Sequence, residues 1–344
     1  MPYQVTVKPS HHTFSVNTGE TVLDAALREG FALSYGCRNG ACGACKGKVL
    51  EGRLDYGDYQ EHALSDEEKA GGLALFCCAK PVSDLMIEAK EISAVKDIPV
   101  RTMPCRVEKI AQPADDVRVL RLKLPANERL QFLAGQYIDV RLKEGKPRSF
   151  SMANAPHDDA YLELHIRHVI GGQFTDYVFN TMKEKDVLHF EGPHGSFFLR
   201  EDSDKPIIFL ATGTGFAPIK AMVEHAHYLG VQRRMVFYWG ARTRKDLYLE
   251  ELPRRWAQEH PEFAFIPVLS GARPEDEWSG RTGHVHEAAL DDDPDLSAYQ
   301  VYACGAPAMV EAAHRAFTTR GGLPEDAFFS DAFLVGSAPA SAKP

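Results

Sequence analysis

Cys37, Cys42 and Cys45 stand in the spacing C-x4-C-x2-C, and a fourth cysteine, Cys77, follows 32 residues after Cys45. This is a spacing that holds a [2Fe–2S] cluster, and it constrains the chain more than any other feature. A loop wrapped around inorganic sulfides must aim its N–H groups inward and turn through conformations with positive φ. Glycine enters these without a Cβ clash, and Gly36, Gly40, Gly43 and Gly47 punctuate the run GCRNGACGACKG. A four-cysteine zinc site usually has a short C-x2-C hook at both ends. Here there is one such hook, so the cluster is the expectation.

The rest of the composition narrows the function classes. A chain of 344 residues predicts two or three domains. Its 44% hydrophobic and 25% charged content is ordinary for a globular protein. A net charge of −9 argues against a nucleic-acid binder. The start MPYQVTVKPS lacks a basic run followed by an apolar one, so no signal peptide is expected. No stretch of 18 apolar residues predicts a membrane span. Seven cysteines, four of them committed to a cluster, suit a reducing cytoplasm rather than a disulfide scaffold. The tail 336–344 reads as disordered.

Periodicity divides the chain into three parts. Residues 1–95 alternate in short strands at Tyr3–Lys8, Thr13–Val16, near Val49 and at Leu85–Ala89. A helix opened by Thr21 carries Val22, Leu23, Ala26 and Leu27 toward a core. The expected fold is an α+β ferredoxin-like β-grasp. Lys96–Met103 reads as a linker, marked by Pro99 and Pro104. From 101 to 200 the pattern is mostly strand, with alternation at Val117–Leu124 and Tyr137–Lys143, which predicts an antiparallel β-barrel. One helical stretch, Thr175–Lys183, interrupts it. From 201 to 335, apolar runs at Ile207–Ala211, Met235–Trp239 and Phe265–Leu269 each precede a polar or helical stretch, the pattern of an α/β parallel sheet.

Five further segments carry chemistry. RSFSMAN (Arg148–Asn154) offers a guanidinium fork for phosphate oxygens and an aromatic face; by itself it is also compatible with a strand end bearing a surface Arg. HIRHVIGGQFTDYV (His165–Val178) places Gly171 and Gly172 before a helix, where free N–H groups make an anion site. IIFLATGTGFAPIKAM (Ile207–Met222) reads strand, glycine turn, helix, with Pro218 in the first helical turn, where its missing N–H costs nothing. YWGAR (Tyr238–Arg242) ends the next strand. VYACGAPAMV (Val301–Val310) sets Cys304 at a strand C-terminus, where ligands bind in open α/β sheets. Cys105 has no such company and reads as a small buried filler.

With these segments in this order, the chain resembles the ferredoxin–NADP reductase superfamily over about residues 1–335. The resemblance implies a flavin held at its pyrophosphate by Arg148, with Ser149 in the same motif, Phe150 packed on the ring and Ser151 near N5. It implies that Gly171, Gly172 and Thr175 face the flavin pyrophosphate, and that His165 or Arg167 lines the flavin. Gly213, Thr214 and Gly215 would cradle the nicotinamide-cofactor pyrophosphate; Thr212 stands where the family usually has another Gly. Arg242 would meet the adenosine side, Cys304 and Gly305 the nicotinamide, and Phe333 the flavin. Ser151 and Cys304 are the two residues placed at the hydride-transfer point. LALFCCAKPVSDLMIE (Leu73–Glu88) resembles the end of a plant-type ferredoxin, in which the ligand lies four residues before a Pro and six before a Ser-Asp pair. Pro81, Ser83 and Asp84 therefore select Cys77 over Cys78.

The domain order, with the cluster first, matches three-part reductases of ring-hydroxylating dioxygenases and aromatic monooxygenases. It differs from the type in which the cluster domain comes last and the flavin is FMN. The implied activity is hydride transfer from NADH, in preference to NADPH, to FAD. Single electrons then pass through the [2Fe–2S] cluster to an acceptor protein, a dehydrase or an oxygenase component, docking near the cluster. Two rivals are a self-contained flavoenzyme reducing a small molecule and a redox sensor. The sensor has no helix-turn-helix pattern or basic stripe behind it.

Overall fold

The computed structural model describes residues 2–92, 98–142, 145 and 147–333. The expected tail 336–344 lies outside the described residues, as do Lys96 and Asp97 of the expected linker and Lys143. The chain falls into two units, Met1–Pro99 and Val100–Pro344.

In the first unit β1 (Tyr3–Lys8) and β2 (Thr13–Val16) pair antiparallel. Helix α1 (Val22–Arg28) follows, and the Thr21 side chain accepts the Asp24 N–H, satisfying one orphan donor of the helix start. Val22, Leu23, Ala25 and Ala26 are its buried face. The unit continues through β3 (Lys46–Glu51), β4 (Leu54–Asp55), α2 (Asp66–Ala70), β5 (Leu73–Leu75), β6 (Lys80–Pro81) and β7 (Leu85–Glu88). Five strands make one sheet in the order β2-β1-β7-β3-β5, with β1 and β7 parallel. α1 buries its apolar stripe in the same core as Val5, Val7, Phe14 and Ile87. This is the expected β-grasp.

The second unit begins with a barrel: β8 (Arg101–Ala114), β9 (Val117–Lys123), β10 (Tyr137–Arg141), β11 (Arg148–Ser151), β12 (Leu162–Arg167), α3 (Gln173–Asn180) and β13 (Val187–His194). All its strand pairs are antiparallel, in the order β11-β10-β13-β8-β9-β12. A bridge from Met152 to Leu164 joins the two ends and closes the barrel. Two sequence expectations shift here. The linker does not extend to Met103, because β8 starts at Arg101 and runs through Pro104. Met103, Cys105 and Val107 alternate inward to the core, and that period outweighs the proline, whose own side chain is exposed. The helix expected over 175–183 runs from Gln173 to Asn180. Gly172 supplies the extended N-cap, and the Lys183 N–H turns away to the Asp186 carboxylate at 3.0 Å.

The remainder is a parallel α/β layer: β14 (Ile207–Thr212), α4 (Phe216–Tyr228), β15 (Met235–Ala241), α5 (Glu251–Glu259), β16 (Phe263–Leu269), β17 (Arg281–Thr282), α6 (Val285–Asp292), β18 (Gln300–Gly305), α7 (Pro307–Thr319) and β19 (Phe328–Ala332). The sheet order is β17-β16-β15-β14-β18-β19, all parallel. After β14 the chain builds outward on one side and then returns to the other. The strand order therefore reverses between β14 and β18, and the crevice for a ligand lies beyond their C-terminal ends. Phe209, Phe216, Phe237, Trp239 and Tyr302 are fully buried beneath that crevice.

Candidate functional site

The cysteine loop is built as its glycines require. The Cys37 N–H points at Cys42 Sγ (3.3 Å) and the Ala41 N–H at Cys37 Sγ (3.5 Å). Gly40 has φ +74°, and a Cβ there would sit 2.7 Å from Cys78 Sγ and 2.9 Å from the Asp58 carbonyl. Strain and space both demand glycine at this position. Cys45 and Cys77 are buried, while Cys37 and Cys42 are half-buried. A thiol bond from Cys42 pulls Cys37 down to about 6, and bonds from Cys45 and then Cys78 pull Cys77 down to about 4. The same bonds, with burial, push Cys42, Cys45 and Cys78 well up.

The thiols therefore associate as Cys37 with Cys42 and Cys45 with Cys77, the two-and-two division a two-iron centre needs. Cys78 lies half-buried behind Gly40, its sulfur 3.6 Å from that of Cys77. A tetrahedral zinc with Zn–S of about 2.3 Å would hold its sulfurs roughly 3.8 Å apart. Among the described residues, the one trio of His, Cys, Asp or Glu ligand atoms within 4.8 Å of one another is His227, His260 and Glu262, not cysteines. The wider cysteine cradle fits a binuclear cluster.

The flavin motif occupies β11 at the end of the barrel sheet. Arg148 and Phe150 share one face, and the Phe150 ring lies 5.3 Å from that of Phe174, in the first turn of α3. Ser151 is 5% exposed, and its Oγ has no hydrogen-bond partner among the described residues. A buried hydroxyl left unpaired is costly, so a polar group of a bound ring is the fitting partner. α3 starts at Gly172 with no side-chain cap. The Thr175 hydroxyl bonds back to the Val169 carbonyl at 2.8 Å, tying the turn and leaving the first-turn N–H groups for an anion. Gly171, at φ +79°, has open space around it.

Two expected flavin contacts are engaged elsewhere. The exposed Ser149 donates its hydroxyl to Asp139 at 2.6 Å. The His165 side chain is fully buried between Tyr248, 2.8 Å away, and Glu163, 3.1 Å away. Arg167 differs: its guanidinium lies against Gly213, where a Cβ would meet it at 2.8 Å.

At the switch point Gly213–Gly215 form a tight turn into α4, which has no side-chain cap. Gly215 packs so closely on the Cys304 carbonyl that no Cβ fits. Thr212, the departure from the family pattern, has a use: its hydroxyl accepts the Ala306 N–H at 3.0 Å, joining the β14 and β18 loops. Gly305 follows at φ +137°, against the Thr212 hydroxyl. The Phe333 N–H donates to the Gly305 carbonyl at 2.7 Å, bringing that ring to the same end of the sheet. Arg242 is exposed beyond β15, its stem beside Gly271. Cys304 is at the expected strand end, but its thiol points into the core with no exposure. Burial, then the charge of Asp331, pushes that thiol well up, so it stays neutral. The Cys304 carbonyl packs against Gly215, beneath the turn into α4.

Lys220, Glu163 and Tyr248 escaped sequence reasoning, although they tie the barrel to the parallel sheet. Only Lys220 lies inside a quoted motif, and no spacing marks the three as partners.

Three family models match in series: the 2Fe-2S iron-sulfur cluster binding domain at residues 5–82, the oxidoreductase FAD-binding domain at 104–199 and the oxidoreductase NAD-binding domain at 209–315. With the cluster loop, the barrel motif and the switch-point crevice, they define an iron–sulfur flavoprotein reductase, and the chain belongs to the ferredoxin–NADP reductase superfamily in its three-domain form. It is an NAD(P)H-dependent oxidoreductase carrying FAD and a [2Fe–2S] cluster, passing electrons in that order to a partner. The chain is 41% identical over 334 residues to the CDP-6-deoxy-L-threo-D-glycero-4-hexulose-3-dehydrase reductase of Yersinia pseudotuberculosis, covering 97% of this chain and 99% of the relative. It is 36% identical to reductase component 2 of a Comamonas terephthalate 1,2-dioxygenase, covering 98% of each. The crystal structure of the Amycolatopsis cytochrome P450 reductase GcoB matches with a TM-score of 0.77 at 35% identity, covering 96% of this chain and 98% of that one. No helix among the described residues is long and apolar enough to cross a membrane.

Proposed function

We propose that this reductase delivers electrons to a separate dehydrase acting on a CDP-linked deoxyhexulose, in the cytoplasm. The observation that carries the acceptor class is the 41% identity to the Yersinia dehydrase reductase along nearly the full length of both chains. The runner-up acceptor is an oxygenase component, favoured by the terephthalate dioxygenase relative. Seven free cysteines, four of them expected to ligate one cluster, support a reducing compartment.

When held by Arg148, Phe150 and the start of α3, FAD would supply the chemistry that links a two-electron hydride donor to a one-electron cluster. The chain's own residues supply binding and placement. Arg148 and the first turn of α3 would hold the pyrophosphate, Phe150 would cover the ring, and the unpartnered Ser151 hydroxyl would hydrogen-bond the ring. The Gly213–Gly215 turn takes the second pyrophosphate at a helix start. Gly305 and Phe333 wall the nicotinamide end, while Cys304, neutral and buried, positions Gly305. Arg242 faces the adenosine side. NADH is the preferred donor, as the family resemblance implies, with the carboxylates of Glu250, 3.4 Å from Arg244 Nε, and Asp246 standing beside the basic residues that a 2′-phosphate would need. Cys37, Cys42, Cys45 and Cys77 hold the cluster.

The acceptor docks beside the cluster loop. Asp55, Asp58 and Glu61 are exposed on the segment that wraps it, where the Gln60 N–H donates to the Gly40 carbonyl at 2.9 Å and His62 bonds the Ala41 carbonyl at 2.9 Å. Asp66 and Glu67 extend this strip, whereas Glu68 is taken by Lys46 and by the α2 cap. Such a strip steers a basic surface. The test is NADH-driven electron delivery to the purified dehydrase and to an oxygenase component, side by side. Faster delivery to the oxygenase would overturn the dehydrase assignment, and turnover of a small substrate with neither present would favour a self-contained enzyme.

A further inference from the structure

Glu163, on β12, is a carboxylate only 7% exposed, and no step of the electron path needs it. Its Oε1 lies 3.2 Å from Lys220 Nζ and 3.1 Å from His165 Nε2, and its Oε2 lies 3.2 Å from Arg121 Nε. Burial opposes its charge, but the His165 bond and the Lys220 charge hold it below the usual carboxylate range. Lys220, on α4, also donates to the Ala153 carbonyl at 3.1 Å and to Glu224 at 2.9 Å. Ala153 stands two residues beyond Ser151, and its N–H donates to the Glu163 carbonyl at 2.8 Å.

On its other ring nitrogen His165 meets the Tyr248 hydroxyl at 2.8 Å. Tyr248 stands edge-on to Trp239, with centroids 5.3 Å apart, and edge-on to Phe216 at 6.1 Å. Trp239 donates to the Gly213 carbonyl at 3.2 Å, and Phe216 directly follows Gly215. Two links therefore run from the barrel to the parallel sheet. One joins the end of the flavin strand to α4, and the other joins β12 to the Gly213–Gly215 turn.

A buried ion pair is weak evidence for stability, and its best-attested use is to fix a register. We infer that Glu163, Lys220, His165 and Tyr248 form a lock that fixes the flavin strand against the nicotinamide turn and so sets the distance over which hydride moves. They are positioning residues, and the inference rests on the reading of those two segments as the flavin and nicotinamide sites. Transfer needs reacting atoms about 3–3.5 Å apart, and a 1 Å misplacement costs on the order of 100-fold.

Tyr248→Phe removes one hydroxyl, Lys220→Met removes the α4 cation and leaves Glu163 only its β-sheet partners Arg121 and His165, and Lys220→Arg keeps the charge. Stopped-flow bleaching of bound flavin by NADH should slow about 10- to 100-fold in the first two, at unchanged FAD and iron content, and recover partly in the third. The kinetic isotope effect with 4-deuterated NADH should rise. In flavin-free protein, amide exchange at 152–154 and 213–216 should quicken in Tyr248→Phe and Lys220→Met. If Lys220→Met does not fold, Tyr248→Phe decides. Wild-type bleaching, or slowed bleaching with unchanged isotope effect and exchange, overturns the lock. Wild-type flavin that NADH does not bleach at all overturns instead the reading of the site on which it rests.

Discussion

The Thr212 hydroxyl accepts the Ala306 N–H across the crevice of the parallel sheet, at 3.0 Å. One side chain thus joins the loops that follow β14 and β18, where the proposed nicotinamide site lies. Thr212→Val keeps the shape and deletes the bond, and Thr212→Ser keeps the bond. Thr212→Val should raise KM for NADH and cost about 0.5–1.5 kcal/mol of stability, while Thr212→Ser should stay near wild type. Steady-state kinetics and thermal melts measure both.

Cluster assembly should distinguish two adjacent cysteines. Cys77→Ser should abolish the EPR signal of the dithionite-reduced protein, and Cys78→Ser should leave it. Gly40→Ala should also lose the cluster, because its Cβ would strain a residue at φ +74° and press on Cys78 and Asp58. Iron and labile sulfide analysis gives the second readout; a single zinc and no sulfide would contradict the cluster.

Ser151→Ala should act with opposite signs in the two forms of the protein. Without flavin the Ser151 Oγ is buried and unpartnered, so its removal relieves a desolvation cost of about 1–3 kcal/mol and should be neutral or stabilising. With FAD bound, the substitution should slow flavin reduction by NADH. Melts of the flavin-free protein and stopped-flow of the loaded one separate the effects.

Acid should weaken the second unit through His227. Its ring stacks on His260 with centroids 3.5 Å apart and packs edge-on against Trp256 and Phe263. Burial, then the charge of His260, pushes it down to about 4 from the ordinary 6.5, with Glu262 opposing. As pH falls below 6.5 the unfolded chain takes up this proton before the folded one. The stability His227 contributes is therefore whole above pH 6.5 and lost progressively toward pH 4. Melting temperature measured from pH 7.5 to 4.5 should show this decline, and His227→Phe should flatten it.

Salt should separate docking from chemistry. Residues 1–95 hold 9 basic against 13 acidic residues, and the exposed part of that excess lies on the strip from Asp55 to Glu67. Raising ionic strength to 0.15 M shortens the Debye length to about 8 Å. Electron delivery to the acceptor protein should fall while NADH-to-ferricyanide activity changes little. Equal responses of the two rates would remove support for docking at this strip.

The cluster loop, the three-part order and most strands were legible in the sequence because their determinants are local. Four cysteines at fixed spacing, glycines where φ is positive and Thr21 before α1 each specify their own few residues. Alternation likewise marked β9 and β10 to within a residue or two. The boundary errors, at Pro104 and at the ends of α3, came where side-chain contacts overruled a local signal. The direction of the Cys304 thiol and the neighbours of His165 were not legible, because each depends on which core the strand is laid against. The Glu163–Lys220 and His165–Tyr248 contacts join residues 57 and 83 positions apart. The sequence by itself determined which cofactors this chain is equipped to hold, since short motifs make each cradle. Only the tertiary structure decided how the flavin strand and the nicotinamide turn are held together, since buried charges find partners only once the chain has closed around them.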